Sequence, residues 1–295
     1  MYFLYNTCNI VFIRLLARKS TQVGLFEAIY TTYIARFINT RNVNLQYSKM
    51  ADDTFKTQYS QKSPMSGYTF LDNGFYDVAG TMHEALTEQG VKYALVGGAG
   101  VQAHLATRLT QNGEKSLKDC KHVLGVLLRP TCDFDIATLD GNVEKMFRVG
   151  QTIQSALGLG FDPKIQRTLK FEPRYAGQEP IFVQYQLSAE DFQGLPGMYD
   201  TVVESAEEVT LRLSGRNGIT LRVAKPEYIV ASKLTRGSHK DNMDIAHLLT
   251  VLKQTHGNFG FEDVRAILKG HNKEQLFSNL ENICVDLGIA RPELN

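Results

Sequence analysis

Apolar positions recur along the middle of the chain at two spacings. Val78, Ala79, Met82, Ala85 and Leu86 form a helical stripe across Val78–Gln89, stopped by Gly90. Val91–Val96 is a short continuous apolar run, as in a buried strand, and the glycines after it open a helix expected over Gly98–Thr107. Residues 110–121 (TQNGEKSLKDCK) are polar and predict a surface insertion; Val123–Leu128 is apolar again and ends at Pro130. Thr131–Thr138 alternates with period two and predicts a strand. A helix follows over Asn142–Leu157, closed by Gly158 or Gly160, then strands over Ile165–Phe171, Pro180–Leu187 and Ile219–Val223. Beyond residue 225 the pattern is helical only. Pro226–Leu234 begins with proline in its first turn, and Asp241–Leu252, Phe261–Leu268 and Glu274–Leu287 follow. Strands mixed with helices, then helices alone, predict an α/β (α+β) domain over residues 68–224 and a helical region over 225–295.

Composition changes this picture mainly at the start. The chain has 295 residues, 43% hydrophobic and 21% charged, enough for one large domain or two ordinary ones. Residues 1–49 carry Arg14, Arg18, Lys19, Arg36, Arg41 and Lys49 against one acid, Glu27. Their apolar runs are too short to span a bilayer, so no membrane association is expected. An Arg-rich, acid-poor start fits a mitochondrial transit peptide; translation beginning at Met50 or Met65 is the preferred alternative, and the expected location is then the cytoplasm. Residues 1–67 are treated as an extension, because 50–67 is polar and turn-rich. A net charge of +1 gives no overall field for nucleic acid. Cys8, Cys120, Cys132 and Cys284 show no CxxC, and the histidines show no HExxH, so reduced thiols are expected and a zinc site is not.

The chemistry begins with Arg129-Pro-Thr-Cys-Asp-Phe-Asp-Ile136. Side chains alternate along a strand, so Asp133 and Asp135 share one face while Phe134 and Ile136 point to the core. Neighbouring carboxylates repel, and burial makes that worse; a divalent cation removes the conflict. Magnesium suits such a pair because it takes one or two carboxylates and leaves its other positions to phosphate and water. Two exposed strand-end aspartates without function would look the same in sequence. Gly97-Gly98 after a strand can present bare N–H groups to phosphate, or simply relieve a tight turn. The pair matches neither a Walker loop nor G-x-G-x-x-G, where Gln102 and Ala103 follow instead. A third cluster holds Lys233, Asp241 and Asp244, with Arg236, His239 and Lys240 beside them. Lys233 fits phosphate neutralisation or a solvated helix face, and Asp241 fits chemistry or a helix N-cap.

The order of these pieces resembles the nucleotidyltransferase fold superfamily, the group related to DNA polymerase beta, and within it the toxin and antitoxin families of the abortive-infection type. The residues that carry the resemblance are Val96-Gly97-Gly98, His104, the Arg129–Ile136 run, Lys225-Pro226-Glu227, Lys233-Leu234, and Lys240-Asp241 with Asp244-Ile245; it covers about residues 75–255. It implies a mixed sheet flanked by helices. It implies Asp133 and Asp135 as ligands of Mg2+ or Mn2+, and Gly97, Gly98, Arg129, Thr131 and Lys233 around a nucleoside triphosphate. Lys233, Asp241 and Asp244 would line the catalytic side with the aspartate pair. A nucleoside monophosphate would pass to an acceptor hydroxyl on RNA, protein or a small molecule, releasing pyrophosphate.

Two departures stand out. An extra stretch, Leu109–Leu128, precedes the arginine, and a later strand offers Gln184 or Gln186 where the superfamily usually has a third carboxylate. Asp241 or Asp244 would have to supply that charge. Otherwise the chain is expected to be a catalytically impaired nucleotide-binding or interaction module.

Overall fold

The alternation Asp-Phe-Asp-Ile gives the central sheet two unlike faces. In strand β2 (Asp133–Leu139) Phe134, Ile136 and Thr138 are buried, whereas Asp133 and Asp135 are half-buried on the opposite side. Phe134 stacks on Phe75, ring centroids 4.0 Å apart, and Phe70 lies at 6.3 Å, so the apolar face anchors the helix that carries Phe75. The computed structural model describes residues 67–139, 141–162, 167–173, 178–187, 194–255 and 258–289. They fall within one compact unit, Met65–Asn295. The readings of residues 1–66, including Cys8, lie outside the described residues.

The chain runs through α1 (Asn73–Glu88), β1 (Lys92–Val96), α2 (Gly97–Leu109), α3 (Lys121–Leu127), β2, α4 (Val143–Leu157), β3 (Gly160–Asp162), β4 (Thr168–Glu172) and β5 (Ile181–Leu187). It continues through α5 (Tyr199–Glu204), β6 (Glu207–Leu211), β7 (Ile219–Val223), α6 (Pro226–Arg236), α7 (His239–Gln254), α8 (Phe261–Gly270), a 3-10 turn (Glu274–Leu276) and α9 (Phe277–Asp286). Seven strands form one mixed sheet in the order β3-β4-β5-β2-β1-β7-β6. β2 runs antiparallel to β1 and parallel to β5, and β1 runs parallel to β7. This is the expected mixed sheet flanked by helices. Register matters at two points: Asp135 lies opposite Val96 on one side and Gln184 on the other.

Several elements differ from the sequence expectation. The polar residues before α3 lie largely at the surface, as expected, but are pinned to the sheet. Leu117 and Leu124 are fully buried, the Leu117 N–H donates to the Arg212 carbonyl at 2.8 Å, and the Asn112 side chain accepts from Thr210 N–H at 3.2 Å. The segment thus covers the outer margin of edge strand β6, satisfying groups an uncovered edge would expose. β6 went unpredicted because Glu207 and Glu208 make it read as loop; β3 is too short to show a period. α4 ends as expected at Gly158, left-handed at φ 61°, and begins with Asn142 accepting from Lys145 N–H at 2.8 Å. The chain entering α1 is stitched to the front of β2, since Tyr68 and Thr131 exchange backbone hydrogen bonds of 2.9 and 3.0 Å. After β7 the helices close over the carboxylate side: α6 and α7 pack together, and both pack against α2. No helix among the described residues is long and apolar enough to cross a membrane.

Candidate functional site

The glycine pair and the aspartate pair occupy one place, and each glycine has its own reason. At the β1–α2 junction Gly97 takes φ +63°, a conformation that disfavours side chains. A Cβ there would lie 2.0 Å from Asp135 Oδ2, so the missing side chain is what lets the Asp135 carboxylate rest against the backbone. Gly98 instead keeps a gap in front of the β2 entry: a Cβ would lie 3.0 Å from Arg129 Nη2 and 3.6 Å from Thr131 Oγ1. The first turn of α2, with its unpaired N–H groups, therefore faces a guanidinium, a hydroxyl and a carboxylate.

The two aspartates sit in an uncomfortable electrostatic setting. Burial pushes the Asp135 carboxyl up from 3.8 to about 6, and the Asp133 charge adds to the rise; Arg236, Lys233 and Arg129 pull the other way. Asp133 is also raised by burial, with Arg129 opposing. Neither carboxylate is closed by an ion pair within hydrogen-bonding distance among the described residues. The neighbour in the next strand is Gln184, whose Nε2 lies 3.4 Å from Asp133 Oδ1. Of the two glutamines considered, Gln184 is the one beside the pair; Gln186 lies opposite Ala137. Among the described residues no group of three or more His, Cys, Asp or Glu is placed to hold a metal. The candidate ligand set is Asp133 and Asp135, with a neutral amide as third neighbour.

The third cluster has a different character. Lys233 is fully buried, which rules out the solvated helix face as its setting. Its Nζ donates to Asp244 Oδ2 at 2.6 Å and to Asp241 Oδ1 at 3.2 Å. Arg129 grips Asp244 through two bonds, Nε to Oδ1 at 3.0 Å and Nη2 to Oδ2 at 2.9 Å. Arg236 Nη2 donates to Asp241 Oδ1 at 2.6 Å. Asp241 is not the helix cap: Ser238 caps α7, accepting from Asp241 N–H, and its hydroxyl donates to Asp241 Oδ2 at 2.6 Å. Burial alone would raise both Asp241 and Asp244, but Ser238, Lys233 and Arg236 around the first, and Arg129 and Lys233 around the second, hold them below the usual carboxylate range. The Asp244 bond raises Arg129 in turn.

The structure thus brings Gly97, Gly98, Arg129, Thr131 and Asp135 together where β2 meets the start of α2, with Asp133 on the same strand face as Asp135. It places Lys233, Asp241 and Asp244 behind this site as a paired network, reaching it through Arg129. Three contributors escaped the sequence reading. The Ser238-x-x-Asp241 spacing was a legible capping signal. Arg236 was noted only for its charge. Gln102 carried no signal at all: its buried amide donates to the Arg129 carbonyl at 2.8 Å and the Tyr68 carbonyl at 3.2 Å, and accepts from Phe70 N–H at 3.2 Å. His104 has no place in the site. It is buried on α2, donates from Nε2 to the Ala224 carbonyl at 2.7 Å, and burial lowers it to about 4.

Neither a protein-family model nor a curated protein matches the chain. Among solved structures it is similar to the solution structure of the antibiotic-resistance factor ANT(2'')-Ia, at 16% identity, covering 72% of this chain and 97% of that one, with a TM-score of 0.38. A likeness of that size bears on neither the site nor its chemistry.

Proposed function

We propose that the chain is a nucleotidyltransferase-type protein that takes a nucleoside triphosphate together with a divalent cation in the recess between β2 and the start of α2. The observation that supports this reading most is the close approach of the Asp135 carboxylate to the side-chain-free Gly97, because it sets the acidic pair beside backbone that would take phosphate. An acid raised to about 6, beside a second acid and without a bonded partner, is the setting a cation relieves. Two carboxylates with a neutral neighbour fit Mg2+ or Mn2+, which leave their remaining positions to water and phosphate. Asp133 and Asp135 would hold that ion, which when bound supplies positive charge against the triphosphate.

The protein's own groups then do the positioning. The N–H groups at Gly97 and Gly98, the Thr131 hydroxyl and the Arg129 guanidinium bind phosphate oxygens and orient the chain of phosphates for in-line attack. The acceptor oxygen bonds to the α-phosphorus, the bond from that phosphorus to the bridging oxygen breaks, and pyrophosphate leaves with the electron pair. The acceptor proton leaves to solvent, because Gln184 is no base. The helical region over 225–295 completes the site by supplying Asp244 and Lys233 behind Arg129.

Gln184 favours a second reading, a module that binds the nucleotide without transferring it. Incubation with labelled triphosphates and magnesium decides between them. Pyrophosphate release that vanishes in both Asp133→Asn and Asp135→Asn supports transfer. Binding without release supports the module, and no binding at all overturns both.

A further inference from the structure

Resting on that nucleotide reading, we propose that Lys233 serves the site without touching its ligand: it is a positioning residue that acts through Asp244 on Arg129, and Arg129 is the cation that meets the phosphates. Lys233 has 1% of its side chain exposed, and its ammonium is already committed to Asp241 and Asp244. Arg129 has 18% exposed, and its Nη2, while donating to Asp244, lies 3.0 Å from where a Cβ on Gly98 would stand; its Nη1 donates to the Pro130 carbonyl at 3.3 Å. The residue between them is Asp244, whose Oδ2 accepts from Lys233 at 2.6 Å and from Arg129 at 2.9 Å.

Charge counting explains what the arrangement accomplishes. Asp244 alone would cancel Arg129. With Lys233 drawing on the same carboxylate, the cluster of Arg129, Lys233 and Arg236 against Asp241 and Asp244 keeps one net positive charge, three cations less two anions. That charge is felt at the recess through Arg129, which is also fixed from the backbone side by Gln102. A buried ammonium thus raises the attraction for an anion it never reaches.

A double-mutant cycle on the full chain tests this, with inorganic tripolyphosphate and magnesium ATP as calorimetric probes and thermal melting to confirm folding. Arg129→Met is expected to weaken tripolyphosphate about tenfold, as loss of a charge-assisted contact does. Lys233→Met is expected to weaken it by a similar factor, and the double variant to lie within about threefold of either single one. Where Lys233→Met does not fold, the charge-balanced Lys233→Met/Asp241→Asn replaces it in the same cycle. Losses that multiply, or a Lys233 variant that binds like the wild type, overturn the proposal while leaving the nucleotide reading intact. A wild type that binds neither probe overturns the nucleotide reading and this inference with it.

Discussion

Two groups of buried charge lie side by side in this molecule and are handled in opposite ways. Behind the recess, Asp241 meets three partners at hydrogen-bonding distance, Lys233, Arg236 and Ser238, Asp244 meets two, Arg129 and Lys233, and both stay below the usual carboxylate range. At its front, Asp133 and Asp135 have each other, an amide at 3.4 Å and cations that do not reach them, and both are raised. Removing a partner from the first group should harm the fold, whereas neutralising a member of the second should help it. Charges that a fold leaves uncompensated are where function is to be sought.

Substitutions can break that contrast, and the largest effect falls on the satisfied group. Lys233→Met takes one buried partner from each of Asp241 and Asp244, leaving them to Arg236, Ser238 and Arg129, and should destabilise the protein by about 3 kcal/mol, read from chemical denaturation. A loss under about 1 kcal/mol would show the network to be ornamental. Asp135→Asn should do the reverse and raise the melting temperature at neutral pH. A carboxyl near 6 rather than 3.8 keeps its proton in the folded state after the unfolded chain has lost it. The contribution of Asp135 to stability is therefore greatest below about pH 4, falls as pH rises to about 6 and is flat beyond, a cost of up to about 3 kcal/mol, while Asp241 and Asp244, both lowered, act in the opposite sense at low pH. The variant should lose that slope, along with metal-dependent triphosphate binding.

A smaller effect sharpens the border between the groups. Gly97→Ala, strained at φ +63° and aimed at Asp135, should cost about 2 kcal/mol and displace the carboxylate. Gly98→Ala has no positive φ to violate and should mainly weaken triphosphate binding, so isothermal titration and melting curves on the two alanines should separate seat from scaffold. The smallest effect is Ser238→Ala, which removes the α7 cap and should cost about 1 kcal/mol by thermal melting.

How much of this was readable in advance follows from the range of the interactions. The face shared by Asp133 and Asp135 is a property of consecutive residues, as is the glycine turn, so period two and a glycine pair sufficed. Proline at the start of α6 and glycine after α4 are equally local. The burial of Lys233 is not: it depends on α6 and α7 closing on a loop more than a hundred residues earlier, where Arg129 meets Asp244. Nothing in the neighbours of a helix lysine announces that. Gln102 is the same kind of case, a side chain whose three partners come from two distant segments. The choice of Gln184 over Gln186 needed register, which the strand pattern cannot supply when both residues point to one side.

The chain from Asn112 to Leu117 has a bearing on assembly. By bonding to Thr210 and Arg212 it takes up hydrogen-bonding groups along the border of β6 that another chain would need in order to join the sheet there. Strand-to-strand growth is therefore hindered at that end of the sheet, and the opposite edge, β3, is the one left for it.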